Sequence, residues 1–254
     1  MFRKYLILFL LAHIIADFYI QTERMSEKKD DGIRWVLIHC AYYLGIMLLC
    51  ILPVISNGII SGAVVAALFH LIIDMIKFMC ISVINKKGKM SKIIDRNIFF
   101  ADQFLHFVSL IGVAYWLAKN NTRINEWNII EDFFNIAGIS GFAAVSWLFA
   151  LLLIHKPANI AIQKLLAIYK PVSVINDKKE LNNAGRFIGT VERIIMLIFL
   201  SIGQYSAIGL VLTAKSIARY DKISKEKDFA EYYLLGTLIS TVVVIVISFL
   251  TFSL

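Results

Sequence analysis

The sequence predicts an all-α integral membrane protein, a polytopic bundle of about 7–8 transmembrane or re-entrant helices. Three observations predict it. Hydrophobic residues make up 59% of the chain and charged residues only 17%, against about 25% charged in a soluble domain. Apolar runs of about twenty residues, enough to cross a hydrocarbon core of about 30 Å, recur along the chain. Between them, the basic residues gather in a few loops, as they do on the cytoplasmic side of a membrane protein.

The first run, at 4–22, opens like a signal peptide, but it lacks a small-residue cleavage site and carries His13 and Asp17. It reads as a retained helix. Further helices are expected at 35–55, 58–84 and 98–118. The stretch NEWNIIEDFFNIAG from Asn125 is amphipathic and suits the membrane interface. A helix follows at 140–156, then a helical segment ending at Pro171 and a polar loop around Asp177–Glu180. The last expected helices are 186–202, 207–220 and 231–253, with a Gly-Gln-Tyr-Ser break at 203–206. Helices 186–202 and 207–220 are short enough to re-enter rather than span. Two regions result: 1–120, a four-helix membrane core, and 121–254, the C-terminal membrane helices.

Loop charge orients these elements. The loop NKKGKMSKIIDRN holds Lys86, Lys87, Lys89, Lys92 and Arg96 against Asp95, which places it in the cytoplasm. The loop after 140–156 and the segment DKISKEKD are basic too. The N-terminus then lies outside, although Arg3 and Lys4 argue mildly against it. The loop after the first helix carries four basic and four acidic residues and decides little. The net charge of +8 is accounted for by these loops, so membrane lipids are the expected partners and nucleic acid is not. Homo-oligomerisation is left open by the sequence. Cys40, Cys50 and Cys80 fall within apolar segments with no CxxC spacing and read as packing residues.

Three His/Asp pairs stand at i,i+4 spacing inside the apolar runs: His13/Asp17, His70/Asp74 and Asp102/His106, with His39 just inside a fourth run. Residues i and i+4 share a helix face, and ionisable groups in a membrane helix are costly and usually functional. The charge-derived topology puts Asp17, His39 and Asp102 about one turn deep, His13 and His106 about two, and Asp74 and His70 deeper still. All seven fall in the cytoplasmic half of the bilayer. Imidazole and carboxylate suit Zn²⁺, Mn²⁺ or Fe²⁺, and helix-borne ligands of this kind converge in di-metal four-helix proteins. His13, Asp17, His70, Asp74 and His106 are therefore the expected ligands of a divalent metal. Asp102 and His39 are expected as further ligands or acid–base groups, and Gln21 and Gln103 as hydrogen-bond donors to ligand or substrate. Seven such groups exceed the needs of one tetrahedral zinc, which fits two metals or one metal with outer carboxylates.

That kit is sufficient for hydrolysis of a lipid or another membrane-associated substrate. Two alternatives use the same residues: a proton or metal-ion transporter, and a non-catalytic scaffold or sensor in which the pairs are polar glue between helices. In the C-terminal third, GRFIGTVER and AKSIAR supply Arg186, Arg193, Lys215 and Arg219. These can form a phosphate-binding shelf for substrate, or simply anchor basic ends at the cytoplasmic face. His155, beside Lys156 and Pro157, reads as interfacial.

LLAHIIADFYIQTERM, IHC, FHLIIDMIK and DQFLH together resemble an uncharacterised bacterial membrane family, domain of unknown function 3307, over roughly the first 115 residues. GRFIGTVER, AKSIAR and EYYLLGTLIS are similar to a C-terminal extension of some members. The resemblance implies a multi-pass inner-membrane protein and implies no particular activity. The His/Asp layout is also similar in style to that of inner-membrane metal-dependent hydrolases, a looser analogy.

Overall fold

The computed structural model describes residues 1–253 except Lys89, Glu126 and 172–178. Within these bounds the chain is α-helical, and five helices are long and apolar enough to cross a membrane. It divides into two compact units, Met1–Phe149 and Ala150–Leu254.

In the first unit, α1 (Phe2–Ile14) continues without a gap into a π-helical turn, Ile15–Ile20. The expected loop after it contains a further helix, α2 (Glu23–Asp31). Thr22 starts α2 by accepting a hydrogen bond from the Met25 amide, 3.2 Å, as a helix N-cap does. Next come α3 (Ile33–Ile51), α4 (Asn57–Lys86) and α5 (Lys92–Lys119). Ser56 and Ser91 cap α4 and α5 in the same way. The amphipathic segment forms α6 (Asn128–Ala137), closed by Gly138 in the left-handed conformation at φ +66°, where glycine carries no Cβ penalty. Ile129, Phe133 and Ile136 of α6 are all exposed.

Helix α4 packs between α3 and α5, and α1 lies against both α3 and α5. Gly62, Ala63, Ala66 and Ala67 of α4 are buried, and small residues let helix backbones approach closely. A Cβ on Gly62 would stand 2.9 Å from Leu117 and 3.1 Å from Phe9, so this glycine sets the spacing of α1, α4 and α5. Tyr5 of α1 ties to the end of α5 by donating its hydroxyl to the Thr122 carbonyl. The polarity is reversed relative to a soluble protein. On α4, His70 and Asp74 are 1% and 3% exposed while Ile72 and Ile76 are 54% and 45% exposed. Large contiguous apolar faces on a helical protein belong in lipid.

Helix α7 (Gly141–Leu166) runs through the unit boundary and passes Pro157 unbroken, where the sequence suggests an end near 156. The second unit continues with α8 (Lys179–Ser201), α9 (Tyr205–Ile217), the short α10 (Tyr220–Lys225) and α11 (Lys227–Ser248). The α8–α9 break falls where the Gly-Gln-Tyr-Ser segment places it, with Gly203 at φ +72°. The Gln204 amide donates back to the Phe199 carbonyl, 2.8 Å. Lys179 and Glu180 belong to α8, whereas Asp177 and Lys178 of the expected polar loop lie outside the described residues.

Candidate functional site

Four helices of the first unit each turn ligand-type side chains to one point. α1 and its π turn bring His13 and Asp17, α3 brings His39, α4 brings His70 and Asp74, and α5 brings Asp102 and His106. All seven are buried or nearly so. The π turn decides where Asp17 points. Its wider winding, with the Gln21 amide bonded to the Ala16 carbonyl, leaves Asp17 Oδ2 4.0 Å from His13 Nε2 and swings Oδ1 to 3.0 Å from His39 Nε2. Such single π turns are frequent at functional sites.

At the centre, His39 Nε2 and His70 Nε2 are 3.1 Å apart. Asp17 Oδ1 lies 3.0 Å from the first and 3.6 Å from the second. Asp74 Oδ2 lies 3.6 Å from both. Two triangles of ligand-type atoms thus share the His39–His70 edge. At metal–ligand distances of about 2.1 Å, tetrahedral ligand atoms sit about 3.4 Å apart, so the Asp17–His39–His70 triangle has the dimensions of one face of such a shell. The His70 ring stacks on Tyr43 at 3.7 Å between centroids, 5° from parallel. The Tyr43 hydroxyl lies 3.2 Å from His13 Nδ1. Cys40 Sγ also falls within 4.8 Å of ligand atoms of His70 and Asp74, a placement its apolar setting in the sequence does not signal.

Two lysines that sequence reasoning passed over enter the cluster. Lys29 of α2 is buried and donates to Asp74 Oδ2 at 2.7 Å and to Gln21 Oε1 at 3.2 Å. Lys77 donates to Asp102 Oδ2 at 2.9 Å. Lys77 follows Asp74 by three residues and so shares its face, a readable signal. Lys29 was hidden in a segment of balanced charge, and only the Thr22 cap and Gly32 mark the helix that carries it. Gln103 also donates to Asp102 Oδ2, 3.2 Å. Gln21 and Gln103 are therefore both bonded to groups of the cluster.

The cluster is incompletely satisfied. Among the described residues, both ring nitrogens of His106, His70 Nδ1 and Asp102 Oδ1 are buried and make no hydrogen bond. Native interiors leave few such atoms. The His106 ring lies 4.4 Å from that of His70 and 5.2 Å from that of His13.

The basic residues of the second unit behave differently. Arg193 is 3% exposed and its guanidinium donates to the Ile154 carbonyl, Asn159 Oδ1, Thr190 Oγ1 and Ser240 Oγ at 2.7–3.3 Å. It ties α8 to α7 and α11. Lys215 pairs with Glu192 at 2.6 Å and Arg186 donates to Gln163 at 3.0 Å. Arg219 is exposed where α10 begins. These four residues do not converge on one point as the His/Asp residues do. His155 is exposed on α7.

The family model described as Protein of unknown function (DUF3307) matches residues 5–134, more than half of the chain and all of α1 to α5 from Tyr5 onward. The chain belongs to the DUF3307 family. Every His and Asp of the cluster falls within the matched segment. No curated protein and no solved structure matches the chain.

Proposed function

We propose that this DUF3307 protein is an intramembrane metal-dependent hydrolase acting on an ester of a lipid or other membrane-associated substrate. The observation that carries the reading is the convergence of Asp17 Oδ1, His39 Nε2 and His70 Nε2 at 3.0–3.6 Å. Three protein ligands with an open fourth position are the pattern of a catalytic zinc. In this reading His39 is a ligand rather than an acid–base group. A divalent ion held there would lower the pKa of a bound water and supply hydroxide at neutral pH. Asp74, 3.6 Å from both imidazole nitrogens, accepts the proton of that water, and Lys29 holds the Asp74 carboxylate in place. Addition of that oxygen to the ester centre would break the bond to the leaving oxygen, and Asp74 would return its proton to the departing alkoxide.

The basic ends of α4 and α5, with Lys86, Lys87, Lys92 and Arg96, set the orientation. By the positive-inside rule they support a site in the cytoplasmic half of a bacterial inner membrane.

Elemental analysis of detergent-purified protein that has never met a chelator tests the reading. At least one Zn, Mn or Fe per chain is expected, lost in His70→Ala, together with metal-dependent release of product from a panel of lipid esters. Metal-free native protein sinks the proposal. Metal-dependent ion flux in vesicles without hydrolysis would move the same site to a transporter.

A further inference from the structure

We infer that the cluster holds a second divalent ion, bound by His13, His106 and Asp17, beside the one assigned to His39, His70 and Asp17. This rests on the metal reading above and extends it. His13, Asp17 and His106 each offer a ligand atom, all within 4.8 Å of one another. The two carboxylate oxygens of Asp17 face opposite ways, Oδ1 toward His39 and Oδ2 toward His13 Nε2. A carboxylate so placed bridges two ions.

The strongest observation is His106. It is 1% exposed, and neither of its ring nitrogens makes a hydrogen bond. Its Nδ1 lies 3.8 Å from Asp102 Oδ1, the one oxygen of that carboxylate that also makes no hydrogen bond. The other oxygen is held by Lys77 and Gln103. An ion on His106 Nε2 would fix the proton on Nδ1 and direct it at Asp102, the carboxylate–histidine–metal arrangement in which the outer carboxylate orients the ligand. Asp102 is thus a positioning residue. His13 is prepared in the same manner, its Nδ1 against the Tyr43 hydroxyl at 3.2 Å and its Nε2 turned to Asp17. Two histidines, a shared carboxylate and two outer partners supply the second site, which is wider than the first.

Charge supplies the substrate class. Three aspartates and two lysines, Lys29 and Lys77, leave the buried cluster one negative charge with its histidines neutral. One divalent ion with a hydroxide balances that. Two ions leave an excess of positive charge, which the anionic oxygens of a phosphoester offset. Paired ions are the common device for displacement at phosphorus, since they clamp both the attacking and the leaving oxygen. The site therefore fits a lipid phosphoester.

The test is metal stoichiometry in native protein and in His106→Ala, His106→Gln and His39→Ala variants, loaded with Mn²⁺ in detergent. Two ions per native chain are expected, with the exchange-coupled paramagnetic resonance spectrum of neighbouring Mn²⁺ ions. One ion should remain in either His106 variant, and that spectrum should become that of isolated Mn²⁺. Asp102→Asn should weaken one of the two ions about 10–100-fold, a readout available if the His106 variants do not fold. Inorganic phosphate should raise the melting temperature of the two-ion protein and not that of His106→Gln. Native protein with one ion, unchanged in His106→Gln, overturns the second site and leaves the first intact. Native protein with none overturns both. Two uncoupled ions also overturn the proposal, and phosphate without effect on the two-ion protein overturns the phosphoester assignment.

Discussion

Two buried polar networks sit in the two units of this chain, and they are satisfied to different degrees. Around Arg193, one cation donates to a backbone carbonyl, an amide and two hydroxyls on three helices. Every partner is neutral, and the network closes on itself. Around His70, four imidazoles, three carboxylates and two ammonium groups crowd one point, yet four of their atoms make no hydrogen bond. A network that exists to join helices has every reason to complete its bonds, since an unmet buried polar group costs about 1–3 kcal/mol. One that exists to hold something else keeps acceptors in reserve. The two networks thus differ in how far their bonds are completed, the difference expected between polar glue and a binding site.

The largest expected effect breaks the His/Asp network. His70→Ala removes the nitrogen shared by both central triangles, so bound metal should fall by about 100-fold or more in affinity, measured by competition with a chromophoric chelator. Retention of native affinity would put the ion elsewhere. Arg193→Met is the converse experiment. It removes the guanidinium donor from the Ile154 carbonyl, Asn159 Oδ1 and Ser240 Oγ, while Thr190 Oγ1 still accepts from Asn159 Nδ2. The expected loss is about 2–3 kcal/mol of stability with metal content unchanged, read from thermal unfolding in detergent alongside elemental analysis. A drop in metal content there would show the two networks to be coupled.

Next in size is a packing contrast elsewhere on α4 and α5. Gly62→Leu must displace Leu117 or Phe9, which stand within 3.1 Å of the new Cβ, and should cost about 1–3 kcal/mol. At Gly112, exposed on α5, a Cβ meets nothing within 4 Å, and Gly112→Ala should fall within about 0.5 kcal/mol of native, or gain from helix propensity. Equal melting temperatures for the two variants would remove Gly62 as the residue that sets the helix spacing, and with it the registry of His70 against His106.

Most of this architecture was legible. The i,i+4 pairs gave the faces that meet in the cluster, and the Gly203 break fell as expected. What escaped has physical reasons. A π turn has no residue signature, so the pairing of Asp17 with His39 rather than His13 could not be read from spacing. Pro157 looked like a helix end because it withdraws one amide donor. In α7 the helix continues, and the nearby Ile154 carbonyl accepts a hydrogen bond from Arg193, a partner 39 residues away. Helix α2 read as a neutral loop because its charges cancel in number, although their positions do not. One face of the helix sends a lysine into the core.

That lysine gives the smallest and most specific test. Lys29 Nζ sits 2.7 Å from Asp74 Oδ2, where it neutralises part of the negative charge that would otherwise attract a cation. Its effect on a metal is therefore repulsive, whereas its effect on the protein is to hold α2 against α4. Lys29→Met keeps the length and burial of the side chain and removes the charge. Divalent affinity should then rise, by about tenfold or more for the loss of a like charge within several ångströms of the ion, while α2 becomes more exposed to amide hydrogen exchange. Arg193, by contrast, should tolerate no analogous gain, because no ion competes for its partners. Metal affinity that falls in Lys29→Met would mean that the hold of Lys29 on Asp74 outweighs the charge it offsets. The carboxylate would then be a metal ligand in its own right and not the base.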